Sequence, residues 1–415
     1  MHLLWMSDSP HLPTGYGRLT REILTRIGNG YKQGVTCLGW FDEACPARER
    51  TPLPFSVYSG RQDYGKEEVS LMVTKLQPNV VVGAGDIWML QALGSDQAKP
   101  FPRIAYVPID SRPIPNSYGV DIGRLGKLVV PSLFGENAVK EEFEVAPVVV
   151  PYGVNTALFH PIPDTLSLRD RLCFGDTFIV GTVSRNHFRK NLPCLVKAFA
   201  RFAEGKKGVA LYIHTPIIDQ GGIVTDLLDR YKLGGKAFLT RDLQTWRGVD
   251  DETLNQIYNL FDVFVLPTMG EGFGLPILEA MACGVPVIAT DCSAVTELVQ
   301  GRGELIRVKE WLTVPPYNVD MAIADVDHLV ELLEKLYNDP DLRAEYGRKG
   351  REFAEKMTWD RCAEQWAQLL DEVVGDGEIR HRRSTFLHGR DVSEIMGSFT
   401  VPLLLSHSAG SNPCW

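Results

Sequence analysis

Short apolar runs alternate along the chain with segments whose apolar residues recur every three or four positions. HLLWM, VVVGA, RIAYVPI, KLVVPS and PVVVPYG show no polar face and end in small or turn residues, which predicts strands buried on both sides. Between them GRLTREILTRI, EEVSLMVTKL and GENAVKEEF have helical spacing. Such alternation predicts right-handed crossovers and a parallel sheet with helices on both faces, an α/β class. The pattern restarts after the proline-containing stretch HPIPDT, with DTFIVGTVS, VALYIHT, KAFLT, DVFVLP and VPVIAT as the next strands.

Two doubly wound halves follow, residues 1–159 and 166–357, joined through 160–165. Facing each other, they would present their strand carboxyl ends, and so their ligand loops, across one cleft. Residues 358–374, TWDRCAEQWAQLLDEVV, predict an amphipathic helix with Thr358 as its N-cap. Residues 375–415 form a tail for which partial order is expected.

Composition narrows the class only slightly. The 415 residues are 44% hydrophobic and 23% charged, ordinary for a globular chain of two domains. No apolar run approaches the ~20 residues of a spanning helix, and MHLLWMSDSP has the look of a first strand, not a leader, so a cytoplasmic location is expected. Eight cysteines without a C-x-x-C pair predict reduced thiols, not a disulfide scaffold or zinc site. Residues 166–374 carry 24 basic and 31 acidic side chains against 15 and 17 in residues 1–165, so the net charge of −9 lies mainly in the second half.

The chemistry concentrates in GEGFGLPILEAMACG, residues 270–284, where seven residues separate Glu271 from Glu279. The strand DVFVLP runs into a glycine turn and then a short helix, with Pro276 suited to its first turn and Gly284 to its end. Free N–H groups at a helix mouth favour an anion, and Gly272 and Gly274 allow close approach to the backbone. Carboxylates accept hydrogen bonds from sugar hydroxyls, so a ligand with central phosphates and a sugar at each end fits the whole stretch. A nucleotide-sugar is such a ligand.

A second cluster, VSRNHFRKNLPCLVKAF, places Arg185 and Lys190 after a strand, where cations can neutralise a departing diphosphate; Arg189 reads as a surface charge. A third, SDSPHLPTGYGRLTREI, sets Gly15, Tyr16 and Gly17 between the first strand and a helix, suited to meeting the phosphate from the opposite wall. Asp86 in GAGDIW and Asp110 in YVPIDSRP are candidates for an acceptor hydroxyl. Of two D-x-D pairs, Asp325/Asp327 reads as a helix cap and Asp339/Asp341 as a turn, so no metal is expected.

Together the E-x7-E stretch, Arg185 with Lys190, YGVNTALFHP and FAEKMTWDRCAEQW resemble the family-four retaining glycosyltransferases of GT-B fold. The likeness is dense from Pro151 to Val374 and loose before it. It implies two Rossmann-like domains, with residues 358–374 crossing back onto the first. Glu279 would hold the nucleotide ribose, UDP being a typical carrier. Glu271 and the backbone of Gly272, Phe273, Gly274 and Leu275 would grip the transferred sugar and phosphate. Arg185 and Lys190 would bind the diphosphate, and the loop Leu243–Val249 would lie against the base. The catalytic set implied is Glu271, Arg185, Lys190 and Asp110, with no metal and no cofactor beyond the donor. Two departures stand out. Where the family often has His-Asp or His-Gly, this chain has Pro108, Ile109 and Asp110, and Gly15-Tyr16-Gly17 replaces a Gly-Gly loop.

The acceptor stays open among glycan, small molecule, protein and DNA base. SDSPHLPTGYGRLTRE resembles divergent, phage-like members, which makes a hydroxylated DNA base one alternative. A catalytically silent nucleotide-sugar binder is another. A glycoside hydrolase using the two glutamates would leave Arg185, Lys190 and the glycines without a task. Nothing in the sequence speaks to oligomeric state.

Overall fold

The computed structural model describes residues 2–28, 34–45, 50–60, 63–95, 98, 100–115, 122–240, 243, 248–315 and 318–387, with 376–387 given by backbone alone. The rest of the tail, and most of the Leu243–Val249 loop expected near a base, lie outside the described residues.

The first domain comprises β1 (Leu3–Asp8), α1 (Gly15–Gly28), β2 (Val35–Trp40), β3 (Ser56–Gly60), α2 (Glu68–Leu76), β4 (Val80–Ala84), β5 (Arg103–Tyr106), β6 (Lys127–Val130), α3 (Leu133–Phe143) and β7 (Val148–Val149). Its seven strands are parallel, in the order β3-β2-β1-β4-β5-β6-β7. Strands β2 and β3 escape the hydrophobic pattern. VTCLGW is buried but interrupted by Gly39, and SVYSG at the sheet edge is mostly exposed.

The second domain runs through α4 (Thr165–Arg171), β8 (Phe178–Val183), α5 (Leu192–Phe202), β9 (Val209–His214), the short hairpin β10 (Ile218–Asp219) and β11 (Gly222–Ile223), α6 (Val224–Arg230), β12 (Ala237–Leu239) and α7 (Asp251–Asn259). It continues with β13 (Val263–Leu266), α8 (Leu275–Ala282), β14 (Val287–Thr290), α9 (Ser293–Val299), β15 (Glu304–Ile306), the hairpin β16 (Val308–Val314) and β17 (Val319–Ala324), α10 (Val326–Asn338) and α11 (Pro340–Ala354). Here the parallel order is β12-β9-β8-β13-β14-β15. Asp325 caps α10, as its sequence context predicts. Asp339, expected in a turn, instead caps α11, its carboxylate accepting the Leu342 N–H at 2.8 Å, and Pro340 opens that helix.

Strand order reverses between β1 and β4 in one sheet and between β8 and β13 in the other, which opens a crevice at the carboxyl ends of those strands. The two crevices face each other.

A single helix, α12 (Trp359–Leu387), ties the halves together and runs well past Val374, where the sequence pattern faded. Trp359, Cys362, Ala363, Trp366, Leu369 and Leu370 recur at helical spacing and are buried. Trp366 packs edge-on against Trp5 of β1 and Tyr106 of β5, with centroids 5.1 and 5.0 Å away. One hydrophobic core therefore passes from the first sheet through α12 to Phe273 and the second sheet.

Replacing Trp366 with alanine removes the contact by which α12 is seated on the first sheet. A loss of about 3–5 kcal/mol is expected from urea unfolding, with both domains affected in one transition.

Candidate functional site

Strand ends from both sheets build the site. After β8 the chain makes a 3-10 turn, Phe188–Lys190, in which the Arg189 N–H donates to His187 Nδ1 at 3.2 Å. After β13 the Thr268–Glu271 loop runs beside it, and the Met269 N–H donates to the Arg189 carbonyl at 2.8 Å. That bond fixes the two loops side by side. Glu271 is pinned at both backbone ends: its N–H donates to Ser293 Oγ at 2.8 Å, and its carbonyl accepts from the Ala294 N–H at 3.3 Å.

The Glu271 side chain is buried and is met by Lys190 Nζ in a direct ion pair. Arg189 Nη1 lies 3.4 Å from the same carboxylate oxygen, and the Thr268 hydroxyl donates to it at 3.1 Å. Burial alone would raise this carboxyl. The adjacent Lys190 and Arg189 charges outweigh burial and hold it at about 2. Burial lowers Lys190 despite its carboxylate partner.

Arg189 is not the surface charge its sequence context suggested. It is largely buried, donates to the Gly270 carbonyl, and places Nε 3.3 Å from Asp110 Oδ2 of the first domain. Asp110, Arg189, Glu271 and Lys190 thus form one charged chain across the domain seam. No repeat or spacing marked Arg189. Only its partners, distant in sequence, give it away.

Arg185 stands apart from this chain. It is half-exposed and held by Asp219 of the β10–β11 hairpin through two bonds of 2.7 and 3.1 Å, and its charge reaches Asp8.

The glycines serve different ends. A β-carbon at Gly270 would meet the Asp110 carbonyl, and one at Gly272 would meet Pro108. Both therefore permit contact between domains. Gly274 has φ +107° and turns the chain into α8, which begins at Leu275, one residue before the predicted start. Phe273 is buried against Tyr152 with centroids 4.9 Å apart, so only its backbone is offered to the cleft.

On the facing wall, Gly15 opens α1 opposite the first residue of α8: a β-carbon there would lie 3.9 Å from Leu275 Cδ1. Two helix mouths, whose first N–H groups have no partner within the helix itself, converge on one place. Gly17 is needed for packing, because a β-carbon would strike the Leu12 and Ser9 carbonyls. The Tyr16 hydroxyl donates to Asp86 Oδ1 at 2.6 Å. Asp8 accepts from the Thr14 hydroxyl at 2.6 Å. Burial pushes both Asp8 and Asp86 up to about 6, with Thr14 opposing at Asp8 and Asp110 adding at Asp86.

Glu279 lies one helical turn into α8 and is buried. Tyr258 donates to it at 2.7 Å, and Arg18 Nη1 of the first domain lies 3.3 Å away. Among the described residues no group of three or more His, Cys, Asp or Glu is placed to hold a metal ion. Among them, too, no helix is long and apolar enough to cross a membrane.

Residues 177–337 match the family model described as Glycosyl transferases group 1. The chain is 28% identical over 255 residues to the MMP alpha-(1->4)-mannosyltransferase of Mycolicibacterium hassiacum, covering 60% of this chain and 55% of that protein. It is 28% identical over 241 residues to the D-inositol 3-phosphate glycosyltransferase of Corynebacterium jeikeium, 57% of this chain and 54% of the other. The chain thus spans about half the length of the curated relatives it matches. Among solved structures, the sucrose-phosphate synthase of Thermosynechococcus elongatus superposes with a TM-score of 0.71 at 20% identity, over 91% of this chain and 100% of that one. Anabaena HepE, solved with UDP and glucose, gives 0.66 at 16% identity, over 90% and 100%.

The charged chain makes a pH prediction. Glu271 is held below its ordinary value of 4.5, so its contribution to stability is complete above that value and is lost as pH falls toward about 2. In Glu271→Gln the fall in stability across that range should be shallower than in the wild type, Asp164, Asp250, Asp325 and Glu345 being held low in both, as measured by urea midpoints.

Proposed function

We propose, from a chain of GT-B fold whose residues 177–337 match the glycosyl transferases group 1 model, that it transfers a sugar from a nucleotide-diphosphate-sugar to an acceptor hydroxyl with retention and without a metal. The observation that carries this reading is the buried Glu271 set between Lys190 and Arg189 at the mouth of α8. An uncharged sugar alone would not call for two cations beside one carboxylate. A sugar diphosphate does: its hydroxyls suit the carboxylate and its phosphates the cations.

The donor would lie along α8, ribose toward Glu279, diphosphate over the helix mouths of α8 and α1, and transferred sugar toward Glu271. As the glycosidic bond breaks, negative charge grows on the leaving diphosphate. Lys190, Arg189 and the helix N–H groups are fixed where that charge grows, so they stabilise the transition state more than the bound donor. Arg185 on its Asp219 brace would approach the same phosphates from the open side. The acceptor would enter along the wall of Asp8, Asp86 and Asp110, its hydroxyl proton passing to the leaving phosphate. Neither glutamate acts as a nucleophile in this scheme.

Lys190→Ala should lower the turnover number by about a hundred- to a thousandfold, read as nucleotide release with the fold checked by circular dichroism. An unchanged turnover number sinks the assignment. The anomeric proton coupling of the product should report retention, and EDTA should leave the rate unaltered.

A further inference from the structure

Glu279 has a partner that the sequence did not announce. One oxygen accepts from the Tyr258 hydroxyl, and the other faces Arg18 Nη1 at 3.3 Å. Arg18 belongs to α1, in the other domain. Its Nη2 donates to Asp251 Oδ1 at 2.6 Å, and Arg21 joins the second oxygen of Asp251 at 3.1 Å. The guanidinium carbon also lies 5.1 Å from the centroid of the Phe159 ring, in the stretch between β7 and α4. The Glu279 arm is the longer of its two ion-pair contacts. Arg18 is thus anchored by Asp251 and Phe159 whatever else Glu279 binds.

We propose that Arg18 is a positioning residue for the donor, holding Glu279 as a carboxylate so that it can accept both ribose hydroxyls. This rests on the reading that Glu279 takes the donor ribose. A protonated carboxyl has lost its charge and gained a donor, and it accepts poorly from a diol.

The surroundings make that protonation a real hazard. Burial raises Glu279 above the usual carboxylate range; Arg18 is the first group opposing this and Tyr258 the second. Asp251 of α7 and Glu22 of α1 push in the same direction as burial, and the Cys283 thiol also lies nearby. Among the described residues, Arg18 is the cation within ion-pair distance of Glu279. Remove it and two acidic neighbours remain. The carboxyl then takes up its proton nearer neutral pH, and ribose affinity falls as pH falls through that value.

The test is calorimetric titration of the full chain with UDP and with GDP at about pH 8 and about pH 6. Arg18→Met keeps the stem over Phe159, and Arg18→Lys keeps the charge. Between those pH values the Kd of Arg18→Met should rise about tenfold more than that of the wild type, and Arg18→Lys should follow the wild type. Asp8 and Asp86 titrate in every variant, so the difference between profiles isolates Glu279. Parallel profiles for Arg18→Met and wild type overturn the proposal. Glu279→Gln separates it from the donor reading. If that variant binds both nucleotides as the wild type does, or the wild type binds neither, the ribose assignment itself fails. If Glu279→Gln binds weakly while Arg18→Met stays parallel to wild type, only the role of Arg18 is lost.

Discussion

Everything in the cleft depends on how one buried carboxylate is compensated. Glu271 sits where water cannot solvate it, and it is tolerated because Lys190 and Arg189 both face it and Thr268 donates to it. The arrangement is exacting, since removing one partner leaves the other charge buried and exposed to its full desolvation cost. Arg189 extends the constraint by also facing Asp110. The charge balance of the second domain is thereby tied to the position of the first.

That tie requires the two backbones to come very close. Gly270 and Gly272 face Asp110 and Pro108, and any side chain at either glycine would force the loops apart. The same approach brings the first turns of α1 and α8 together and carries Arg18 to Glu279. Helix α12 acts behind the cleft, where Trp366 packs on the first sheet and Trp359 stacks on Tyr152, which in turn meets Phe273. Polar pairing at the front and aromatic packing at the back fix the same relative placement.

Much of the site was legible because its residues lie in short local patterns. Glu271 and Glu279 share one loop and one helix, and Lys190 follows a buried strand. Local patterns failed where a residue's meaning lies in a partner far along the chain. Arg189 looked like a surface charge because its partners, Gly270, Glu271 and Asp110, are about eighty residues away. Arg18 was passed over beside the more conspicuous Gly15-Tyr16-Gly17. Gly272 was read as a point of close approach for a ligand; its packing against Pro108 of the first domain could not be read locally. Strands β2 and β3 were missed because one is broken by glycine and the other lies exposed at an edge.

The sequence by itself determined the class of fold, the order of its halves and the loop and helix that carry Glu271 and Glu279. Periodicity, turn residues and helix caps act over a few residues and need no partner. The tertiary structure decided which charges pair, which glycines serve packing, and which acids on the first wall stay uncompensated. Those outcomes turn on desolvation, and a residue is desolvated only by the chain that folds over it.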